Sequence, residues 1–181
     1  MKKFYSAFNN MEFLIRPYRE TDAEAVRNII NDSILNTFHN YDYDPKTLEE
    51  VKQLFQEKEK AGHPILIGES ENEVCGYATY GMFRAKPGYR KTIEHSIYLT
   101  KKAQGKGLGM ELMKRLIDLA QSQGYHAMIA GMDSKNLGSY HFHQRLGFIE
   151  VARIPEVAIK FNQWQTLVFM QLILTPNQSP V

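Results

Sequence analysis

The chain has little cysteine and little net charge. Cys75 is the sole cysteine among 181 residues, which excludes a disulfide framework and fits a reducing compartment, so a cytoplasmic location is expected. The formal net charge of +2 and the lack of a long basic run argue against a nucleic-acid-binding protein. No segment approaches the ~18 consecutive apolar residues of a membrane span, and residues 1–10 are too polar for a secretory signal.

The apolar residues that are present suffice for one domain. A 43% share of apolar side chains over this length can fill one sizeable core. We therefore expect a single domain over residues 11–173, preceded by a flexible extension at 1–10 and followed by a tail at 174–181. Cys75 lies within an apolar run, so it is interpreted as a small buried side chain and not as a nucleophile.

Apolar periodicity and turn residues predict a mixture of strands and helices. Leu108, Leu112, Leu116 and Ala120 recur every four residues, and Gly124 should end that helix in a left-handed conformation. Two earlier helices are expected to start at a capping box over 21–24 and at the proline of 44–45. The other predicted elements are strands at 12–16, 65–69, 74–83 and 125–130, the strand that carries Glu94, a short helix at 136–146, and closing strands from 149 and over 164–172. This order indicates an α/β (α+β) fold with a mixed sheet.

The most informative stretch is a strand that runs into a glycine-rich turn and then into the long helix. The turn reads Gln104-Gly105-Lys106-Gly107-Leu108-Gly109. Glycines let backbone N–H groups approach a ligand closely, and a helix N-terminus adds partial positive charge, so the pattern is typical of a pyrophosphate site. A P-loop would need serine or threonine after Lys106, and a dinucleotide fingerprint would need glycine at Met110. A turn that only caps the helix is the alternative.

Several segments resemble one enzyme family. The spacing Gln104-x-x-Gly107-x-Gly109 resembles the acyl-CoA loop of the GCN5-related N-acetyltransferases (GNAT), and residues 136–148 are similar to the second half of their signature. More narrowly, segments at 83–90, 92–98, 142–148 and 160–164 resemble the phosphinothricin and methionine sulfoximine acetyltransferase branch. The resemblance covers residues 13–172 and implies the GNAT fold, a mixed sheet of about seven strands flanked by about four helices.

The resemblance implies acetyl-CoA as co-substrate and two residues that move protons. Glu94 would be the base that deprotonates the acceptor amine, since an ammonium cannot attack a thioester. His143 lies seven residues after Asn136, where this branch carries histidine, and an imidazole can give a proton to the departing thiolate. A solvated strand glutamate and a surface histidine are the alternatives. The residues that the resemblance assigns to acetyl-CoA are Ile97, Tyr98, Leu99, Gln104, Gly105, Lys106, Gly107, Leu108, Gly109 and Asn136.

The candidate residues for binding the acceptor substrate are basic or aromatic. A flexible loop before the strand of Glu94 could present guanidinium groups to a carboxylate or phosphinate. Segment 39–41 departs from the more acidic run of the branch, while Trp164 is expected in the core. The histidines are scattered, so no metal site is predicted. The candidate substrate-binding residues are Phe38, Arg84, Tyr89 and Arg90, together with Lys160, which the resemblance places on the opposite wall.

We therefore predict an acetyl-CoA-dependent N-acetyltransferase that acts on the amino group of a small amino-acid-like substrate. Transfer would be direct, within a ternary complex. A protein or polyamine acetyltransferase is a second hypothesis, although Arg84 and Arg90 would repel a cationic acceptor. A non-catalytic acyl-CoA sensor is a third, although Glu94 and His143 are both present. The resemblance also implies a homodimer.

Overall fold

The computed structural model describes residues 2–5, 12–176 and 179. Within these residues one mixed sheet of eight strands carries helices on both faces, with strand order β1-β2-β3-β4-β5-β6-β8-β7. The strands are β1 (Lys2–Tyr5), β2 (Glu12–Pro17), β3 (Ile65–Ser70), β4 (Glu73–Met82), β5 (Thr92–Leu99), β6 (Ala127–Asp133), β7 (Ile149–Lys160) and β8 (Gln163–Ile173). The helices are α1 (Ala23–Asn36), α2 (Leu48–Lys60), α3 (Leu108–Ser122) and α4 (Leu137–Arg145). The predicted fold class is confirmed, with seven strands from residue 12 onward.

The centre of the sheet is split. Strands β5 and β6 run parallel and pair only at Thr92–Ala127, Ile93–Met128 and Glu94–Ile129. Beyond Glu94 the two strands diverge, because β5 stays paired with β4 up to Leu99 and β6 stays paired with β8 up to Asp133. The facing edges of the two strands are therefore left without a ladder partner, and a V-shaped opening forms between them.

Two apolar clusters hold the sheet to its helices. The predicted stripe on α3 is confirmed, since Leu112, Leu116 and Ala120 are fully buried against the sheet. On the opposite face, α1 and α2 pack through Val26, Phe55 and neighbouring residues. Cys75 is buried within the first cluster, and Gly124 has the left-handed φ of 76° that was expected of the residue after α3.

The starts of the first two helices differ from prediction. The carboxylate of Asp22 accepts hydrogen bonds from the guanidinium of Arg16 at 2.6 and 2.8 Å and from the amide of Arg19, so it does not cap α1. Helix α2 begins at Leu48 and not at the proline of 44–45. Its capping box is formed by Thr47, whose hydroxyl accepts from the amide of Glu50 while the Glu50 carboxylate accepts from the amide of Thr47.

The ends of the chain are described only in part. Within the expected N-terminal extension, Lys2–Tyr5 forms β1 and pairs antiparallel with β2, while residues 1 and 6–11 lie outside the described part. At the other end, the amide of Leu174 still donates to the carbonyl of His126 at 2.7 Å. Of the expected tail, residues 177, 178, 180 and 181 lie outside the described part. Within the described residues, no helix is both long and apolar enough to cross a membrane.

Candidate active site

A cleft of about 740 Å³ occupies the opening between β5 and β6. Its walls come from the diverging part of β5, the glycine-rich loop, the end of β6, the first turns of α4 and the α1–α2 loop (residues 37–47). The residues that define these walls are Glu94, His95, Ser96, Ile97, Tyr98, Leu99, Gln104, Gly105, Gly109, Gly131, Met132, Asn136, Gly138, Ser139, Phe142, His143 and Arg145, with Thr37, His39, Asn40 and Tyr41 from the loop. A second cavity of about 660 Å³ lies beside α1, where Arg16 and Asp22 are already paired with each other.

The glycine-rich loop presents main chain to this cleft. Gly105 and Gly107 have φ values of 71° and 88°, a region that favours glycine, and Gly107 is the N-cap residue of α3. Nothing lies within 4 Å of the place where a Cβ would stand on either residue. The start of α3 therefore has open space beside Gly105 and Gly107 and carries the positive end of the helix dipole, an arrangement that fits a pyrophosphate. Leu108 is fully buried, so it can contribute to this site only through its main chain.

The carboxylate of Glu94 lies on the sheet face that is turned toward the α1–α2 loop. Its neighbours Ile93 and His95 point to the opposite face and are buried. The Glu94 carboxylate sits above Gly131 of β6, where a Cβ would come within 3.0 Å of Oε1. Burial raises the pKa of Glu94, and the charge of Arg84 partly opposes this rise. A carboxylate with a raised pKa is a better base toward an ammonium than a fully solvated one.

On the other face, His143 of α4 is joined to His95 of β5. The two Nε2 atoms are 3.0 Å apart, and Nδ1 of His143 donates to the carbonyl of Ser139 at 2.7 Å. Phe148 packs edge-on against both imidazole rings. Burial lowers the pKa of His143 to about 4, while the hydrogen bond to the Ser139 carbonyl acts in the opposite direction. Burial, followed by the neighbouring imidazole, lowers the pKa of His95 far below its ordinary value.

The α1–α2 loop forms one wall of the cleft. The hydroxyl of Tyr41 donates to Oδ2 of Asp133 at 2.8 Å, and Asp133 is only 2% exposed at the end of β6. Burial, and then this bond to a carboxylate, raises the pKa of Tyr41 well above its ordinary value. Burial lowers the pKa of His39, and the charge of Asp133 opposes this shift. Asn40 reaches the other wall, where its amide donates to the hydroxyl of Tyr98 at 3.5 Å.

With this geometry in view, comparison with known proteins identifies the family. Residues 24–148 match the acetyltransferase (GNAT) family. The chain belongs to that family. It is 40% identical to the L-amino acid N-acyltransferase MnaT of Escherichia coli over 92% of this chain and 96% of that relative. It is 39% identical to the L-methionine sulfoximine/L-methionine sulfone acetyltransferase of Pseudomonas aeruginosa, over 93% and 99% of the two chains. The solved structure of yncA, an acetyltransferase from Salmonella typhimurium, contains its cofactor acetyl-CoA. That structure superposes with a TM-score of 0.90 at 37% identity and covers 96% of this chain and 99% of that one.

In this GNAT chain most of the residues predicted to bind the co-substrate line one cleft. The edge of β5 at Ile97–Leu99, the loop residues Gln104, Gly105 and Gly109, and Asn136 all line the same cleft. Asn136 is also the N-cap of α4, since its Oδ1 accepts from the amide of Ser139. Lys106, Gly107 and Leu108 belong to the same loop but do not contribute to the cleft lining.

The predicted acceptor residues lie elsewhere. The cleft lining includes none of Phe38, Arg84, Tyr89, Arg90 and Lys160. The guanidinium of Arg84 stacks on Phe83, 4.8 Å from the ring centroid, and the ring of Phe38 packs edge-on against Phe161. The ammonium of Lys160 is buried and donates to the main-chain carbonyls of Ile34 and Asp42, so it ties the α1–α2 loop to the β7–β8 turn.

Sequence reasoning missed the residues of the α1–α2 loop that line the cleft. These are His39, Asn40 and Tyr41, and their departure from the acidic run of the branch was the available signal. His95 also lines the cleft and was missed, because it was treated as one of the scattered histidines. Trp164 is exposed and not in the core. Among the described residues, no group of three or more histidine, cysteine, aspartate or glutamate side chains is placed to hold a metal.

Proposed function

We propose that this GNAT protein transfers the acetyl group of acetyl-CoA to the amino group of a small amino-acid-like substrate of the phosphinothricin, methionine sulfoximine or methionine sulfone type. One observation carries the proposal. The Glu94 carboxylate, whose pKa is raised by burial, stands where β5 and β6 diverge, beside a glycine-rich helix N-terminus. The substrate class is supported by the MnaT and methionine sulfoximine acetyltransferase relatives, which align over nearly the whole chain.

In the proposed reaction Glu94 takes a proton from the acceptor ammonium, so that the nitrogen regains its lone pair and attacks the acetyl carbon. The unpaired edge of β5 at Ile97–Leu99 offers a main-chain N–H to the oxygen that gains negative charge. The C–S bond then breaks, and the sulfur needs a proton. We assign the supply of this proton to the side of the cleft that holds His143. Cys75 is buried in the core, so the transfer proceeds without an acyl-cysteine.

Residues of this chain would hold acetyl-CoA through main chain more than through side chains. We assign the pyrophosphate to the amides of residues 105–109, since the left-handed Gly105 and Gly107 have open space beside them at the start of α3. Ile97–Leu99 would take the adjoining arm of the co-substrate along the β5 edge, and Asn136 would flank it from α4. When bound, acetyl-CoA supplies the activated thioester.

We assign the acceptor to the space between Glu94 and the α1–α2 loop. His39, Asn40 and Tyr41 provide polar and aromatic contacts there, in a wall that Asp133 holds in place. Arg84 acts on Glu94 through its charge, which opposes the rise of the Glu94 pKa and favours the ionised carboxylate. Tyr89 and Arg90, on the loop before β5, remain predicted contacts for the acceptor carboxylate, and Phe38 and Lys160 are reassigned to holding the loop.

We also propose a homodimer, because β7 is an edge strand with an unusual apolar surface. Val151, Val157 and Ile159 are exposed along it, and Trp164 on β8 is 60% exposed beside Ile159. Long exposed apolar edges are rare on monomers. Light scattering should give twice the chain mass of 20.9 kDa. Trp164→Glu should shift the mass toward one chain, and a monomeric wild-type protein would contradict the proposal.

The function is tested by thiol release from acetyl-CoA with identification of the product by mass. Methionine sulfone, methionine sulfoximine and phosphinothricin should be acetylated on nitrogen. A polyamine and a lysine-rich peptide, tested at the same concentrations, should give background rates. Turnover of the cationic acceptors alone would replace the proposal with a polyamine or protein acetyltransferase, and acetyl-CoA binding without turnover of any amine would indicate a sensor.

A further inference from the structure

Tyr41 and Asp133 stand beside Glu94 on one face of β6. The even-numbered residues of segment 128–132 pack into the core with α3, so the odd-numbered residues of this strand face the α1–α2 loop. The Glu94 carboxylate lies above Gly131, and the Tyr41 hydroxyl binds Asp133, two residues further along the same face. Two residues of a strand span about 7 Å. Since Tyr41 and Glu94 both line the cleft, one amino acid can reach both groups.

The hydrogen bonds of Asp133 fix the orientation of the Tyr41 hydroxyl. An ionised carboxylate only accepts hydrogen bonds. Its Oδ1 accepts from the amide of Lys135 at 2.7 Å, and its Oδ2 accepts from the Tyr41 hydroxyl at 2.8 Å. Burial, and then the bond to this carboxylate, raises the pKa of Tyr41, so the phenol keeps its hydrogen at neutral pH. A phenol has a single hydrogen, and in Tyr41 it points at Asp133.

The Tyr41 oxygen therefore has only lone pairs left for another partner. Among the described residues, Asp133 is the one hydrogen-bond partner of the Tyr41 side chain. Tyr41 lines the cleft, whereas Asp133 is 2% exposed and does not contribute to the lining. The carboxylate thus covers the Tyr41 hydroxyl from behind, and the side of the oxygen that is turned to the cleft is open to a ligand.

We propose that Tyr41 determines substrate specificity as a hydrogen-bond acceptor oriented by Asp133, and that the amino-acid substrate places an N–H opposite it while its amine lies at Glu94. The proposal rests on the acetyl transfer proposed above and refines its substrate class. A substrate side chain that ends in an N–H is favoured over one that ends only in oxygen. Tyr41 touches the substrate in this scheme, and Asp133 is a positioning residue that acts through Tyr41.

Methionine sulfoximine and methionine sulfone differ at the group that this site would distinguish. Both side chains are neutral and of nearly the same size, but the sulfoximine carries an N–H where the sulfone carries a second oxygen. In the extended side chain this group lies roughly 6 Å from the amine nitrogen, which fits the spacing between the groups above Gly131 and at Asp133. The sulfoximine N–H can donate to Tyr41, whereas a sulfone oxygen would oppose lone pair to lone pair.

The first test compares the two substrates on the wild-type protein. The better sulfur epimer of methionine sulfoximine should have a kcat/KM for thiol release about tenfold higher than that of the sulfone, because the sulfone leaves one polar pair unmatched. The two compounds have the same charge, so this ratio measures the hydrogen bond and not the electrostatics of the cleft. Equal kcat/KM values, or a preference for the sulfone, would overturn the proposal.

Asp133→Asn gives the sharpest outcome, because it reverses the orientation of the Tyr41 hydroxyl. The main-chain N–H of Lys135 can only donate, so the asparagine oxygen has to face it and the NH₂ group has to face Tyr41. Tyr41 then accepts from the amide and turns its own hydrogen to the cleft. The preference should shift toward the sulfone. Tyr41→Phe removes the hydroxyl, and the two substrates should then react with nearly equal kcat/KM. An unchanged ratio in either variant would overturn the proposal, and Tyr41→Phe decides alone if Asp133→Asn does not fold.

Tyr43→Phe is the matched control for a loosened loop. The Tyr43 hydroxyl also anchors the α1–α2 loop, on the carbonyl of Ile159, but Tyr43 does not line the cleft. Its loss should change kcat/KM for both substrates by the same factor and leave their ratio at the wild-type value. If Tyr43→Phe moves the ratio as far as Tyr41→Phe does, the order of the loop and not the Tyr41 oxygen sets the preference, and the proposal is overturned.

Binding without turnover separates this proposal from the proposed function. Calorimetry with coenzyme A, which carries no acetyl group, should show about tenfold tighter binding of the sulfoximine than of the sulfone, and equal affinities in Tyr41→Phe. Equal affinities in the wild type would overturn the role of Tyr41 even if both compounds are acetylated. If the difference in binding is found and neither compound is acetylated, the proposed function fails and the recognition by Tyr41 stands. If neither compound binds, both fail.

Discussion

Replacing Gly131 by alanine should displace the Glu94 carboxylate and slow acetyl transfer without weakening acetyl-CoA binding. The new Cβ would stand 3.0 Å from Oε1 of Glu94 and 3.4 Å from a ring carbon of Phe169. Favourable contacts lie near 3.5 Å or beyond, so the carboxylate has to retreat by roughly 0.5 Å. The backbone cannot absorb the shift easily, because residue 131 is paired with Phe169 in the β6–β8 ladder.

The expected loss follows from that displacement. A misplacement of about 1 Å costs about 10²-fold in rate, so roughly half of it should cost about tenfold in kcat, or about 1.4 kcal/mol. The methyl group also excludes water from the carboxylate, which raises the Glu94 pKa beyond the rise that burial already produces. Glu94 acts as a base only when ionised, so activity falls as the pH drops through its pKa. In Gly131→Ala this fall should begin at a higher pH than in the wild type.

Thiol release from acetyl-CoA, followed from about pH 5 to about pH 9 at saturating and limiting acceptor, measures both effects. Gly88→Ala is the control, since nothing lies within 4 Å of a Cβ at residue 88 and its rate and pH profile should match the wild type. Melting temperatures of the three proteins separate a site effect from unfolding. If Gly131→Ala keeps the wild-type kcat and pH profile, the carboxylate is not where the mechanism needs it, and the assignment of Glu94 as base loses its geometric support.

Three other substitutions test separate features. Glu94→Gln should lower kcat on the order of 10²–10⁴-fold, with a deficit that shrinks as pH rises because more acceptor amine is already neutral; calorimetry should show unchanged acetyl-CoA binding. Lys160→Met leaves the carbonyls of Ile34 and Asp42 without their donor, so denaturant unfolding should show a loss of about 2–3 kcal/mol. Thr47→Ala removes the hydroxyl acceptor of the α2 capping box and should cost about 1 kcal/mol by the same measurement, whereas no change would show that α2 depends on packing alone.

The fold was largely predictable because its strongest signals are local. The stripe on α3, the left-handed Gly124 and the β3–β4 hairpin each depend on residues within a few positions of one another. The predicted helix start was wrong where a local sequence pattern competes with a distant interaction partner. Thr21 and Glu24 fit a capping box by sequence, yet α1 begins only at Ala23, and the neighbouring Asp22 carboxylate pairs with Arg16. Arg16 also pairs with Glu69, 53 residues further along the chain.

The same distinction explains which half of the site could be predicted. Apart from Asn136, the residues predicted for the co-substrate lie in one continuous segment of strand, glycine loop and helix, so the family resemblance of that segment indicates them together. The acceptor side is assembled from segments far apart, and Lys160 shows how a side chain changes its role through such contacts. The family resemblance indicated it as a substrate-binding residue, but it binds carbonyls 126 and 118 residues away.

Fixing the α1–α2 loop in this way has a consequence for specificity. The loop is held at the β7–β8 turn by Lys160 and by the Tyr43 hydroxyl on the carbonyl of Ile159, and at β6 by Tyr41 on Asp133. Asn40 adds further anchors, since its side chain donates to the Tyr98 hydroxyl and accepts from the amide of Asp42. Thr37 and Tyr41 are also held by side-chain hydrogen bonds, so His39 is the cleft-lining residue of the loop that can vary without breaking a described side-chain hydrogen bond. Substrate differences between this chain and its GNAT relatives should therefore trace to position 39. Exchanging His39 for the residue of a relative should change the preferred acceptor while leaving KM for acetyl-CoA unchanged, because the glycine-rich loop does not share these anchors.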